Sequence, residues 1–124
     1  MLRALFAADA GERLAAMLGE PMRGEKGLTY EFEVPCDAWF VRGHFPGNPL
    51  VPGVVQLQWA IEGASPWFGR DVKPREVLAL KFKDMLLPGQ KLKLELTIDE
   101  PRSLVLFRLT DAAKEYSSGR IVVA

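Results

Sequence analysis

The spacing of apolar residues changes from helix-like to strand-like within the first third of the chain. Residues 13–18 are largely apolar, Asp9 precedes them as a helix N-cap, and Gly19 and Pro21 follow as stop signals. From residue 28 to residue 34 every second side chain is apolar, which indicates a strand with one buried face. The pattern therefore predicts a helix followed by a half-buried strand.

A longer helix is predicted near the middle of the chain. Residues 54–64 are apolar on nearly every side, and Ser65-Pro66 is expected to close this helix, because proline disfavours the α conformation in the residue before it. A helix that is apolar all round needs cover on more than one side. One sheet face covers only one side, so a second copy of the chain is expected to supply the rest.

The apolar period becomes two in the second half of the chain. Four strands are predicted, over residues 78–82, 92–98, 103–109 and 116–123. The third is apolar on both faces and is expected inside the sheet. Short turns between strands favour antiparallel neighbours. The order of elements predicts one α+β domain over residues 1–124, with a curved antiparallel sheet wrapped around one long central helix. Residues 1–27 form its N-terminal helix and turn, and residues 28–124 its core.

Composition narrows the chemistry that the chain can carry. Sixteen basic and sixteen acidic residues cancel, so overall charge does not favour a nucleic-acid partner. No apolar run is long enough to span a bilayer, and one cysteine, Cys36, cannot form an internal disulfide, so a cytoplasmic location is expected. With one histidine and one cysteine, a zinc site built from these ligands is not expected.

The single histidine lies in a loop that is rich in proline and glycine. Residues 43–54, GHFPGNPLVPGV, lead directly into the predicted long helix. Proline and glycine disfavour a regular helix or a central strand, so the segment predicts a rigid loop that presents His44 beside a helix N-terminus. A lone histidine is often structural, but this setting favours a catalytic role.

The sequence HFPGNP over residues 44–49, followed by PGV over residues 52–54, resembles the signature of the β-hydroxyacyl-(acyl carrier protein) dehydratases of fatty-acid synthesis. The resemblance extends over about residues 28–124 through the order of elements. It implies a hotdog fold and the dehydration of β-hydroxyacyl thioesters to trans-2-enoyl thioesters. It also implies no metal and no other cofactor, since the substrate is carried on the phosphopantetheine of acyl carrier protein.

The resemblance implies a role for each matching residue. The family's catalytic histidine corresponds to His44. The glycine whose N–H points at the thioester carbonyl corresponds to Gly53, at a helix N-terminus that stabilises a developing enolate oxygen. The family's acid, contributed across a dimer interface, corresponds to Gln58, whose amide has no titratable proton. Glu62 shares a helix face with Gln58 and is a candidate for the acid, with a structural ion pair to Arg70 or another cation at the helix end as the alternative.

Three outcomes stay open for the missing acid. Glu62 takes over the role, or His44 carries the proton both ways in a syn elimination, or dehydration is weak or absent. The third outcome would suit a non-catalytic or weakly active acyl-binding subunit of a heteromeric dehydratase. A hotdog thioesterase, which would need a positioned water and a carboxylate, is a further alternative.

Further residues are assigned to the substrate and to partners. The candidates for acyl-chain binding are Phe45, Val54 and Trp59, for which core packing is the alternative. Aromatic side chains around the motif are compatible with a substrate whose acyl chain is conjugated or carries an aryl group. Related small dehydratases serve aryl polyene assembly, so such a substrate is a further hypothesis. The candidates for docking an acidic acyl carrier protein are Arg70, Lys73 and Arg75, for which a solvated face is the alternative. A homodimer or an assembly of dimers is expected.

Overall fold

The computed structural model describes residues 10–41 and 50–124. Within these ranges the elements are α1 (Ala10–Leu18), β1 (Met22–Arg23), β2 (Gly27–Glu33), α2 (Gly53–Phe68), β3 (Pro74–Phe82), β4 (Lys91–Asp99), β5 (Leu104–Thr110) and β6 (Glu115–Val123). A 3-10 helix over Glu100–Arg102 joins β4 to β5. The predictions for Asp9, His44 and Phe45 lie outside the described residues. No helix in the described ranges is long and apolar enough to cross a membrane.

The six strands form one antiparallel sheet in the order β1-β2-β4-β5-β6-β3. Helix α2 packs against the sheet through β2, β4 and β5, and α1 packs against α2. The predicted α+β class and hotdog fold are confirmed. β5 lies between two neighbours, as its apolar sequence indicates. β1 was not predicted, because two residues carry no detectable period.

Helix α2 supplies the centre of the core. Val55, Trp59 and Ala64 have no exposed surface. The ring centroids of Phe32 and Phe40 lie 5.0 and 5.7 Å from that of Trp59, both in edge-to-face arrangements that aromatic rings favour. The structure therefore places Trp59 in the core and not at an open surface, in agreement with the packing alternative.

The predicted end of α2 was wrong. Pro66 lies inside the helix, and Gly69 ends it in the left-handed region with φ 69°, where its N–H donates to the Ser65 carbonyl at 3.0 Å. The last turn is retained because Trp67 packs against the core and its Nε1 donates to Glu100 Oε1 at 2.7 Å. Tertiary contacts thus outweigh the local effect of proline on the preceding residue.

Strand β3 also differs from its prediction. Among the described residues it pairs only with β6, so it is an edge strand there, and its side chains are largely exposed. The pairing register shifts between Leu78 and Lys81, where Ala79 has a φ of 51°. Such a bulge adds one residue and reverses the alternation of faces. Phe82 therefore faces α2, whereas Leu78 lies on the opposite face of the sheet.

Candidate active site

Two backbone N–H groups at the N-terminus of α2 have no acceptor within the described ranges. Pro52 is the N-cap residue, with φ −60° and ψ 146°, and it makes no side-chain cap. The N–H groups of Val55 and Gln56 donate to the Pro52 carbonyl at 3.1 and 3.3 Å. In the described part of the chain, the N–H groups of Gly53 and Val54 have no acceptor. This helix end can therefore polarise a carbonyl oxygen that is placed against it.

An aromatic ring lies directly against Gly53. A Cβ atom at this position would lie 2.8 Å from Cζ of Phe82, closer than real Cβ contacts allow. Glycine is therefore needed for the ring and the helix N-terminus to approach so closely. Val54, assigned to the acyl site, is exposed at the same helix end. Phe82 and Val54 thus place two exposed apolar side chains beside N–H groups that have no acceptor in the described ranges.

The side chains of Gln58 and Glu62 form a hydrogen-bonded pair. Gln58 Nε2 donates to Glu62 Oε1 at 2.8 Å, and both residues are half-buried. This confirms the shared helix face that their spacing predicts. Because the amide nitrogen is directed at the carboxylate, Gln58 Oε1 remains available as an acceptor. Glu62 makes no ion pair with Arg70, whose Nη1 atom donates to the Ala124 backbone oxygen at 2.6 Å.

Helix α1 covers the Glu62 carboxylate. A Cβ atom at Gly11 would lie 2.5 Å from Glu62 Oε1, so the first turn of α1 rests on this oxygen. The buried side chains of Leu14 and Leu18 belong to the core that α1 shares with α2. The carboxylate is thereby held between α1 and the Gln58 amide. The N-terminal segment, which the resemblance does not cover, thus reaches the candidate site.

A family model with the description ApeI-like, ApeI dehydratase, matches residues 20–120. The match covers most of the chain, including the proline-glycine loop and the whole of α2. The chain belongs to the ApeI-like family.

Curated relatives and a solved structure agree with this ApeI-like membership. The chain is 31% identical over 100 residues to the 3-hydroxyacyl-[acyl-carrier-protein] dehydratase FabZ of Oenococcus oeni, covering 70% of this chain and 63% of that protein. It is 32% identical over 104 residues to FabZ of Erythrobacter litoralis, covering 76% and 65%. The dehydratase heterocomplex ApeI:P from Xenorhabdus doucetiae matches with a TM-score of 0.75 and 26% identity, covering 85% of this chain and 98% of that chain. The ApeI-like chain spans less than two thirds of the length of these two FabZ relatives.

The docking residues predicted for the ApeI-like chain lie at the opposite end of α2 from Gly53. Arg70, Lys73 and Arg75 are exposed beyond the helix C-terminus. The 16 residues of α2 span about 24 Å. Within one protomer, the structure therefore does not bring these cations to the free N–H groups. Lys81 lies next to Phe82 in the chain and is closer to them.

Sequence analysis missed three residues that shape this ApeI-like site. Phe82 contacts Gly53 from a strand about 30 positions later, and Gly11 contacts Glu62 from another helix. Gln56 is a buried polar side chain in the first turn of α2. Of these, only Gln56 had a sequence signal, because it interrupts an apolar run. The described ranges contain no cluster of three or more His, Cys, Asp or Glu side chains that could hold a metal ion.

Proposed function

We propose that this chain dehydrates 3-hydroxyacyl thioesters carried on acyl carrier protein to trans-2-enoyl thioesters. The observation that carries the proposal is the pair of N–H groups at Gly53 and Val54, which have no acceptor in the described ranges and follow the loop that contains the only histidine. Family membership and the names of the FabZ relatives support it. The proposed location is cytoplasmic, where the exposed thiol of Cys36 stays reduced.

In the proposed mechanism His44 removes the proton from C2 of the substrate. The electron pair moves towards the thioester, and the Gly53 N–H stabilises the negative charge on the carbonyl oxygen. Gln58 Oε1 accepts a hydrogen bond from the 3-hydroxyl and so orients the leaving group. When the C3–O bond breaks, the His44 imidazolium returns its proton to the departing oxygen, and one water is released. Glu62 acts through Gln58 as a positioning residue.

The pair of Gln58 and Glu62 gives a matched test of this assignment. Glu62→Gln keeps an oxygen that accepts from the Gln58 amide, so we expect kcat within about threefold of wild type. Glu62→Ala removes that acceptor, and kcat is expected to fall about tenfold, the effect of one lost hydrogen bond on the barrier. Turnover of a 3-hydroxyacyl carrier-protein substrate measures both. An equal, large loss in both variants would instead identify Glu62 as the proton donor.

We also propose that two copies of the chain associate through β3. This strand has one unpaired edge, and apolar side chains are exposed on it and beside it. They are Val54, Leu78, Leu80, Phe82, Met85 and Leu87. Pairing of two β3 edges would continue the sheet and place those of these side chains that face α2, such as Phe82, against the partner. It would also cover the half-exposed side of α2, so that Gln58 serves the site of the partner, as the family resemblance implies.

The proposed docking surface for the carrier protein is the outer face of β3 and β6. A groove there, which extends onto β4 and β5, is lined by the basic side chains of Lys81, Lys83, Arg108 and Arg120 and by one carboxylate, Glu95, which pairs with Arg108 at 3.9 Å. Hydrogen bonds from Lys83 and then Arg108 lower the pKa of Glu115 to about 2, so this carboxylate stays charged and offsets them.

Two cations in this groove remain unneutralised. In the described ranges, Lys81 and Arg120 have no acidic partner within ion-pair distance. Lys81 adjoins Phe82, whose ring contacts Gly53 across the strand. An acidic carrier protein would be attracted and oriented there.

Charge reversal tests this docking surface. We expect Lys81→Glu to raise KM for the carrier-bound substrate about tenfold, through slower association, and to leave kcat unchanged. A pantetheine thioester without carrier protein should be turned over normally. Lys26→Glu is the control, because Lys26 is also exposed but lies by the opposite edge of the sheet. If Arg75→Glu raises KM more than Lys81→Glu does, the carrier protein docks instead on the residues predicted from the sequence, Arg70, Lys73 and Arg75.

One alternative function is favoured by a specific observation. Gln58 carries no titratable proton, and a matching solved structure is a dehydratase heterocomplex. The chain would then pair through the same β3 edge with a different hotdog subunit that supplies the carboxylic acid. This alternative predicts little turnover by the chain alone and recovery of turnover when the second subunit is added.

A further inference from the structure

Gln56 lies buried where the loop meets α2. Its side chain is 3% exposed, and its Nε2 donates to the Val51 carbonyl at 3.2 Å. The N–H of Val51 in turn donates to the Leu86 carbonyl at 2.8 Å. This is the one hydrogen bond that the Gln56 side chain makes in the described ranges, where its buried Oε1 has no partner. Burying an amide is unfavourable unless it is hydrogen-bonded, so the contact with Val51 offsets part of the cost of burial. Val51 is thus fixed through both of its backbone polar groups.

This arrangement replaces an ordinary helix cap. In a capping box, a side chain in the first turn accepts from the backbone N–H of the N-cap residue. Pro52 has no N–H to donate and no side-chain acceptor to offer the helix. Gln56 instead reaches past Pro52 and donates to the carbonyl before it. The junction is therefore held without a side chain on the N–H of Val54, one of the two groups that an ordinary N-cap side chain can occupy.

We propose that Gln56 is a positioning residue for the carbonyl-binding N–H groups. By fixing Val51, it sets where the chain enters the helix and hence where the Gly53 N–H points. The inference rests on the proposed function, in which that N–H contacts the thioester oxygen. Its effect should be large for a residue that does not touch the substrate. A displacement of about 1 Å in a catalytic group lowers rates up to about 10²-fold.

The test compares Gln56→Met with Tyr30→Phe. Methionine keeps the length of the side chain and removes the donor to Val51. Tyr30→Phe is a matched control, because the Tyr30 hydroxyl donates to the carbonyl of Gly63 at 2.7 Å, another buried hydrogen bond to the backbone of α2. The probe is a saturated acyl pantetheine thioester with a ¹³C-labelled carbonyl, whose infrared band shifts to lower frequency when the oxygen is hydrogen-bonded.

We expect the bound thioester to show a band shift in wild type and in Tyr30→Phe, and a reduced shift in Gln56→Met. With a 3-hydroxyacyl substrate, Gln56→Met should lower kcat about 10- to 100-fold with little change in KM, because the lost contact acts on the developing charge. A full band shift in Gln56→Met would overturn the inference. An equal reduction in both variants would also overturn it, since general loosening of α2 would then explain both.

The infrared band of the bound thioester carbonyl distinguishes failure of this inference from failure of the proposed function. If wild type shifts the infrared band of the bound carbonyl but forms no enoyl product, the dehydratase proposal fails. The role of Gln56 is then decided by whether Gln56→Met reduces that band shift. If wild type binds the thioester without any band shift, the N–H groups do not contact the oxygen and the inference fails.

Discussion

His44→Ala should lower kcat for a 3-hydroxyacyl carrier-protein substrate by about 10²- to 10⁴-fold, the range that general acid–base catalysis contributes. The effect should be this large because His44 is the only imidazole in the chain and serves as both base and proton donor in the proposed mechanism. Gln58 has no proton to substitute for it. The measurement is the initial rate of enoyl formation under saturating substrate.

A folding control accompanies this variant. His44→Ala should retain the wild-type unfolding midpoint in urea and the wild-type infrared band shift of a bound thioester, since the Gly53 N–H is unchanged. Undiminished turnover would remove His44 from the mechanism. If His44→Ala loses both turnover and folded structure, His44→Asn is the second variant, because its polar side chain also cannot act as a base. A folded His44→Asn variant should then show the same loss of turnover.

Gly27→Ala should have the largest effect on stability. Gly27 pairs with Thr97 across β2 and β4, and a Cβ atom at residue 27 would lie 1.7 Å from the Leu96 carbonyl oxygen. The clash is with backbone, so no side-chain rotation relieves it and the two strands must separate. We expect a loss of more than about 3 kcal/mol in the free energy of unfolding, measured by urea denaturation.

The neighbouring turn offers a control for this substitution. A Cβ atom at Gly24 would have as its nearest neighbour the Gly27 carbonyl oxygen at 3.7 Å, an ordinary contact. Gly24→Ala should therefore keep a urea midpoint close to that of wild type. Similar midpoints for the two alanine variants would show that β2 and β4 do not approach each other as closely as described.

Much of the fold could be predicted because its elements are strongly periodic. The alternation over residues 28–34 and 92–98 gives β2 and β4, and the apolar run after residue 54 gives α2. The predicted helix end was wrong because contacts between residues far apart in the sequence determine where α2 ends. Trp67 packs on the core and keeps Pro66 inside the helix, and neither effect is visible in the local sequence.

The faces of β3 could not be predicted for a related reason. Strict alternation assigns Leu78 and Phe82 to the same face, but the bulge at Ala79 separates them. Alanine is compatible with a regular strand or with a bulge, so the sequence pattern does not predict the bulge at Ala79. The consequence is functional, because Phe82 is thereby turned towards Gly53 and Lys81 towards the outer groove.

The candidate site was predictable only in its local part. The i, i+4 spacing of Gln58 and Glu62 predicted their contact, because neighbouring turns of one helix fix it. The cover over Glu62 depends on α1, and the ring against Gly53 depends on β3; both are long-range contacts. Gln56 was visible as a polar interruption, but its bond to Val51 follows from the local geometry at Pro52.

The most direct test of the central claim is intact mass spectrometry of a 3-hydroxyacyl carrier protein incubated with the wild-type chain alone. We predict loss of one water from the acyl group with the thioester intact, and no such loss with His44→Ala. Release of the free acid would instead show a thioesterase. An unchanged carrier that loses water only after a second hotdog subunit is added would contradict a dehydratase built from copies of this chain alone.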